Sequence, residues 1–229
     1  MLNKYFFVFI CLGLSLWPMG TALAQEEGQY TANFIYNAPK QVAAAPVDVT
    51  FTVFSPSYKT SGGFMWFSSK PFVNLHNALR QDIQKILTAK GFIVRGPYES
   101  YDFIPFQDKK AIDLLVLPTI EFTVTLKDHQ ERAENMWQPA ADQIQTGNAE
   151  VRGRMILEMK EIATQELLWV KTIPINNFTF PYFVKTSYKE YAQIKKSGSG
   201  RLYSYDPIFN GMAKGLEEQY PDKMSAFYD

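Results

Sequence analysis

Two histidines, His76 and His129, and one cysteine, Cys11, are the chain's whole supply of the side chains that most readily bind zinc or form nucleophile–base pairs. A structural zinc site of the Cys or Cys/His type needs four such ligands and an all-histidine catalytic site needs three. Neither can be built here, and both histidines read as ordinary surface or helix residues. No G-x-S-x-G elbow and no G-x-x-x-x-G-K-[ST] phosphate loop occurs. Ser197-Gly198-Ser199-Gly200 lacks a preceding apolar strand, so it reads as a flexible loop, with Lys195-Lys196 as solvated charge beside it. Glu217-Glu218 falls on a helix flank and implies no cleft. The sequence therefore predicts no catalytic residue, no metal site and no cofactor.

The remaining chemistry is aromatic. The chain holds 13 Tyr, 18 Phe and 4 Trp, and aromatics make up 15% of it. Such side chains fill cores and dominate binding interfaces. They gather at 64–67, 98–106 and 178–191. Folding back into the core is the commoner fate of such clusters. The binding reading selects Phe64, Met65, Trp66, Phe67, Trp137, Phe180, Tyr182 and Phe183 as a candidate interface. The 64–67 cluster leads it, because Ser61-Gly62-Gly63 before and Ser68-Ser69 after look like an exposed tip.

Composition narrows the partners. Lys+Arg and Asp+Glu both number 23, so the formal net charge is zero. That balance gives no electrostatic footprint for nucleic acid. Hydrophobic residues at 46% and charged residues at 20% are an ordinary globular mix.

Residues 1–24 read as a secretory signal: Lys4, an apolar run from Tyr5 to Leu16, and small residues ending at Ala24. Cleavage would leave Gln25 first. Cys11 lies inside the apolar run after Val8-Phe9-Ile10, not after the small residues that precede an acylated cysteine. No lipid anchor is expected, and 25–229 has no cysteine. The predicted place is the periplasm, the outer membrane or the cell surface.

The elements that must position these side chains follow from periodicity. Residues 25–46 form an extended lead-in with a short strand at 33–36. Val47, Val49, Phe51 and Val53 alternate with polar residues as a strand. Leu75, Leu79, Ile83, Ile86 and Leu87 define one face of a helix over 70–90, capped by Ser69, with Pro71 in its first turn and Gly91 closing it. A short strand at 92–94 ends at Gly96-Pro97. An irregular segment over 98–110 leads to a strand over 113–126 whose first half is buried on both faces. A polar excursion over 127–146 precedes a hairpin of 151–160 and 167–173. A second irregular aromatic segment, 176–201, leads to a helix opening at Asp206-Pro207, with Pro221 kinking it or starting a last helix at 222–228. The expected fold is one α+β domain over 47–229: a mixed, mostly antiparallel sheet with helices on one face.

At Asn33-Phe34-Ile35-Tyr36, the 47–55 strand, Ala78-Leu79 to Ile86-Leu87, Lys90-Gly91-Phe92-Ile93-Val94, Asp102-Phe103, Lys109-Lys110 and the closing stretch from Ile208-Phe209, the chain resembles the neuraminyllactose-binding hemagglutinin (HpaA-like) family of bacterial outer-membrane lipoproteins. The resemblance implies a non-catalytic envelope protein of α+β fold, linked to adhesion and virulence. Two departures stand out. The family's N-terminal lipid-bearing cysteine has no counterpart, and its basic sugar-associated stretch reads here as Lys127-Asp128-His129-Gln130-Glu131-Arg132, of mixed charge. The first expectation is therefore an accessory or structural component of an outer-membrane-associated assembly, such as a secretion system core, with other envelope proteins as partners. The second is an adhesin for host glycan or matrix. A third, a cryptic hydrolase, would need carboxylate pairs that no motif marks.

Overall fold

The alternating run at the start of the domain forms β1 (Val47–Phe54), and Ser55-Pro56 separates it from the short β2 (Ser57–Thr60). The helical face becomes α1 (Leu75–Ala89), with Leu75, Leu79, Ile83, Ile86 and Leu87 all buried. Gly91, at φ 89°, turns the chain into β3 (Phe92–Tyr98), which runs parallel to β1. That conformation carries a steric cost for any residue with a Cβ. α2 (Phe106–Ala111), β4 (Leu114–Ala133), β5 (Gln143–Glu161), β6 (Leu167–Thr186), α3 (Tyr188–Ser197) and α4 (Asp206–Tyr228) complete the order. The computed structural model describes residues 30–40, 47–60, 65–135, 137–138, 140–197, 202 and 204–229. The signal segment, the cleavage point, Gly62-Gly63 and Phe64 lie outside the described residues.

The sheet runs β3-β1-β4-β5-β6, with β2 on β4. β1 lies parallel to β4 at 114–116, and β2 continues along the same side at 119–122. The long pairs β4–β5 and β5–β6 are antiparallel. α1, α4 and the segment 30–38 cover one face. A smaller cluster of Phe54, Ile104, Ile112, Leu115 and Ile162 covers one end of the other. Leu115 and the adjacent Val116 belong to opposite clusters, as a strand buried on both faces requires. The fold is a single α+β domain with a mixed sheet.

Several elements depart from the periodicity reading. The 66–72 stretch forms two 3-10 turns, Trp66–Ser68 and Lys70–Phe72, instead of the first turn of α1. Ser69 does not cap a helix; its hydroxyl donates to the Trp66 carbonyl at 2.6 Å, and Trp66 and Phe72 both turn inward. β3 passes through Pro97, which an outer strand tolerates because one row of its N–H groups needs no partner. β4 and β5 extend through the polar residues, pairing Lys127 with Asn148 and Ala133 with Gln143. On β4 residues 127–132 are exposed and so show no apolar alternation, although Ile144 and Gln145 across the ladder on β5 are buried. β6 continues past Asn176-Asn177 to Thr186, so the second aromatic segment is largely strand. α4 runs through Pro221 as one helix. Residues 33–36 are not a strand: Ala32, Phe34 and Tyr36 are buried alternately in an extended strap. Asn33 N–H donates to Glu217 Oε1 at 2.8 Å, and Ala32 N–H to the Pro71 carbonyl at 3.1 Å.

Two contacts seat α4. The wholly buried Tyr220 donates its hydroxyl to Asp82 Oδ2 of α1 at 3.0 Å, while Lys85 Nζ lies 2.7 Å from Asp82 Oδ1. Burial first, then the Asp82 charge, pushes the Tyr220 hydroxyl far above its ordinary pKa. Against β6, α4 presents Gly211, Gly215, Gln219 and Lys223. The Phe180 ring covers Gly211 and the Phe178 ring covers Gly215 so closely that a Cβ would meet ring carbons at 2.2 and 2.3 Å. Asn176, at an irregularity in the β5–β6 register, donates its N–H to Gln219 Oε1 at 2.7 Å and accepts Lys223 Nζ at 3.0 Å.

Gly215→Ala should push the Phe178 ring off its seat and destabilise the protein by roughly 1–3 kcal/mol, the usual cost of overpacking. Pairing it with Phe178→Leu should recover part of that loss. Thermal melts of both variants check this; equal melts for wild type and Gly215→Ala would contradict the packing.

Candidate functional site

Of the eight residues singled out from sequence, the seven described ones do not form one surface. Trp66 is 1% exposed and sits in the core, its ring centroid 4.8 Å from Phe72, 4.9 Å from Phe122 and 5.3 Å from Tyr58. Phe67 is half-buried, stacked on Tyr58 at 5.0 Å. The expected exposed tip is therefore a core plug at these two positions, because the 3-10 turns rotate the rings inward. Tyr182 is buried, 2.7 Å through its hydroxyl from His129 Nδ1, and burial raises its pKa. Phe180 is half-buried against Gly211. Met65, Trp137 and Phe183 are exposed, Trp137 by 90% at the turn between β4 and β5.

Phe103 and Phe106 are also exposed, but Lys110 lies 4.5 Å over the Phe106 ring. Lys109 covers neighbouring Tyr101 in the same way, at 4.0 Å.

The polar clusters are arranged for packing and solubility. Ser55 Oγ donates to Glu99 Oε2 at 2.7 Å, and Arg80 reaches Glu99 at 3.4 Å. The Ser55 hydrogen bond, then Arg80, holds the Glu99 carboxyl below its usual pKa, which makes it a weak base for that serine. His76 stands 3.5 Å from the Tyr58 hydroxyl; burial, then the Arg80 charge, lowers its pKa. Among the described residues no three His, Cys, Asp or Glu side chains stand together as metal ligands. No described helix is long and apolar enough to cross a membrane.

The open face of the sheet carries ion-pair rows. Glu121 lies between Lys59 at 3.2 Å and Arg154 at 2.5 Å, and Glu150 between Lys127 and Arg152, the latter at 2.6 Å. The Arg154 hydrogen bond, then Lys59, depresses the Glu121 pKa, with burial opposing.

The most unusual surface is one the sequence reading passed over. β6 is an outer strand, and Leu167, Leu168, Trp169 and Val170 at its start are 48%, 53%, 41% and 46% exposed. Its outer edge pairs with no described strand there. Farther along, Pro174 and Pro181 lack the N–H that a docking strand would need, and the irregularity near Asn176 breaks the ladder. The proline-guarded part of the edge thus begins at Pro174, while 167–173 holds no proline, one charge at Lys171 and a register irregularity at Leu168. The signal was present: four consecutive apolar residues in a strand whose partner strand alternates.

No family model matches the chain, and no curated protein matches it. Similar solved structures include a neuraminyllactose-binding hemagglutinin homolog from Helicobacter pylori, at 11% identity and TM-score 0.47, with 86% of this chain and 97% of that one covered. A lipoprotein from Neisseria meningitidis matches at 11% identity and TM-score 0.25, covering 78% and 99%. A protein from Xanthomonas campestris matches at 7% identity and TM-score 0.30, covering 87% and 94%. These are distant likenesses of fold, and they carry no activity or ligand to this chain.

Glu121 contributes stability that is full above its ordinary pKa of 4.5 and lost as pH falls through its lower folded value. Glu121→Gln should therefore melt lower than wild type at neutral pH, and the gap should close on acidification. Trp66→Ala should cost about 3–5 kcal/mol, the range for emptying a core aromatic site, and leave association with any partner unchanged. Melting curves against pH and sizing of the folded fraction check both.

Proposed function

We propose that this chain is a non-catalytic binding protein of the bacterial envelope that docks to another envelope protein through the open edge of β6. The observation that carries the reading is the exposed apolar stretch at 167–170 on an outer strand. Main-chain groups on such an edge supply affinity, and alternate side chains supply specificity. Soluble proteins normally blunt such an edge with charge, proline or a bulge; β6 has no proline before Pro174, and its 167–173 stretch carries a single charge, Lys171, and one register irregularity at Leu168. The secretory signal read over 1–24 supports the envelope as its address. The depressed pKa of Glu99 beside Ser55 supports a binding role over hydrolysis at that pair. Trp66 and Tyr182 are buried, so the aromatic candidate interface loses two of its contacts for a protein partner and for a glycan alike. The favoured role is a structural or accessory part of an outer-membrane-associated assembly such as a secretion system core.

Gentle detergent extraction of the envelope followed by sizing tests this. Wild type should migrate in a large complex, and Leu168→Lys with Val170→Lys should release it near its own mass while its melt stays unchanged, because both side chains are already exposed. Wild type running as a free species would remove the assembly role.

A further inference from the structure

Beside the last turns of α1 and α4 the helix layer and the sheet part to leave a cavity of about 210 Å³. Its walls are apolar: Ile86 of α1, Leu157 of β5 and Phe227 of α4, with Val116 as floor. None of the buried polar atoms that lack a hydrogen bond belongs to its lining, so nothing inside calls for water. Polar groups enter only at charged or amphipathic lining residues. Lys90 caps α1 and lies 4.6 Å over the Tyr228 ring, where it offsets the partial negative charge of the helix end. Asp229 follows the last residue of α4. Trp169 and Lys171 come from β6, and Lys171 has no ion pair among the described residues.

An apolar cavity whose lining includes an unpaired ammonium matches an amphiphile with an anionic head. The helix ends and Asp229 disfavour an anion on their side, so the head belongs on the β6 side, at Lys171. At about 30 Å³ per water-sized group, the volume holds roughly seven such groups. We propose that the cavity binds a single acyl chain, taking about seven of its carbons, with a carboxylate or phosphate head against Lys171. Trp169 packs beside the chain where it leaves the cavity.

This site is independent of the proposed docking edge. Val170 lies between Trp169 and Lys171, so it points to the other face of β6, and Leu168, at the register irregularity before Trp169, is not part of the cavity lining. Loss of docking in Leu168→Lys with Val170→Lys should therefore leave chain binding intact.

Calorimetric titration of the folded mature chain with linear carboxylates and matching alcohols, from butanoate to dodecanoate, tests the proposal. Each added methylene should tighten binding roughly fourfold until the cavity is full near seven carbons, with a much shallower slope beyond. Carboxylates should bind at least tenfold more tightly than alcohols of equal length. Lys171→Glu should abolish that preference and leave alcohol binding unchanged. Met159→Trp, which adds bulk to the lining, should weaken both series while the melt shows a folded protein. A medium-chain alkyl phosphate in place of the carboxylate distinguishes a phosphate head from a carboxylate one. No binding to wild type at millimolar carboxylate overturns the proposal. So does binding that grows steadily with chain length and is indifferent to both variants.

Discussion

The contact between α4 and β6 depends on two repeats that nearly agree. Four residues of helix advance about 6.0 Å, and two residues of strand advance about 6.6–6.8 Å. Running in opposite directions, Gly211, Gly215 and Gln219 therefore meet Phe180, Phe178 and Asn176 one after another. The two glycines let aromatic rings lie on the helix backbone, where most side chains would hold the elements apart. Gln219 and Lys223 then satisfy backbone and side-chain groups of Asn176, where the irregular register leaves β6 short of sheet partners. Shape and polarity are matched along one stripe of one helix.

From that stripe the rest of the helix layer follows. With β6 fixed, the opposite flank of α4 presents Tyr220 to Asp82, which locks α1 at a set distance from the sheet. Glu217, one turn away, receives the Asn33 N–H and the Tyr30 hydroxyl, so the strap at 30–36 closes over the helices. Asp82 is a buried carboxylate held by a hydroxyl and an ammonium. Its value lies in position: removing either partner would leave a charge poorly solvated, so the pairing of the helices has one strongly preferred register.

The sequence made the apolar frame legible and hid what depends on backbone geometry. The α1 face, the turn at Gly91 and the two-sided burial of Leu115 and Val116 were all readable, because each is a periodicity or a single steric demand. The extension of β4 through Lys127–Arg132 was not, since exposed ladder residues leave no apolar signature. β6 beyond Asn176 was hidden by the irregularity, which breaks strict alternation. Trp66 was misplaced because serines and glycines around it suggest a tip, while only the two 3-10 turns reveal that the ring faces inward. Gly211 and Gly215 read as weak points of a helix until their ring partners are known. The candidate interface fared worse than the fold for one reason: aromatic residues serve core and surface alike, and composition does not separate the two.

Strand parity gives β6 two different faces beside its edge. Val170, on one face, and Leu168, at the register irregularity, remain about half exposed. On the other, one residue along, Trp169 and Lys171 line the cavity beneath the helix ends. A partner strand added at this edge would bond to the backbone that both sets share, and so would pass beside the cavity without filling it. Pro174 sets the limit of that partner's reach, because past it the missing N–H and the irregularity near Asn176 interrupt the ladder. The same residues that anchor β6 to α4 thus confine the accessible edge to the stretch beside the cavity.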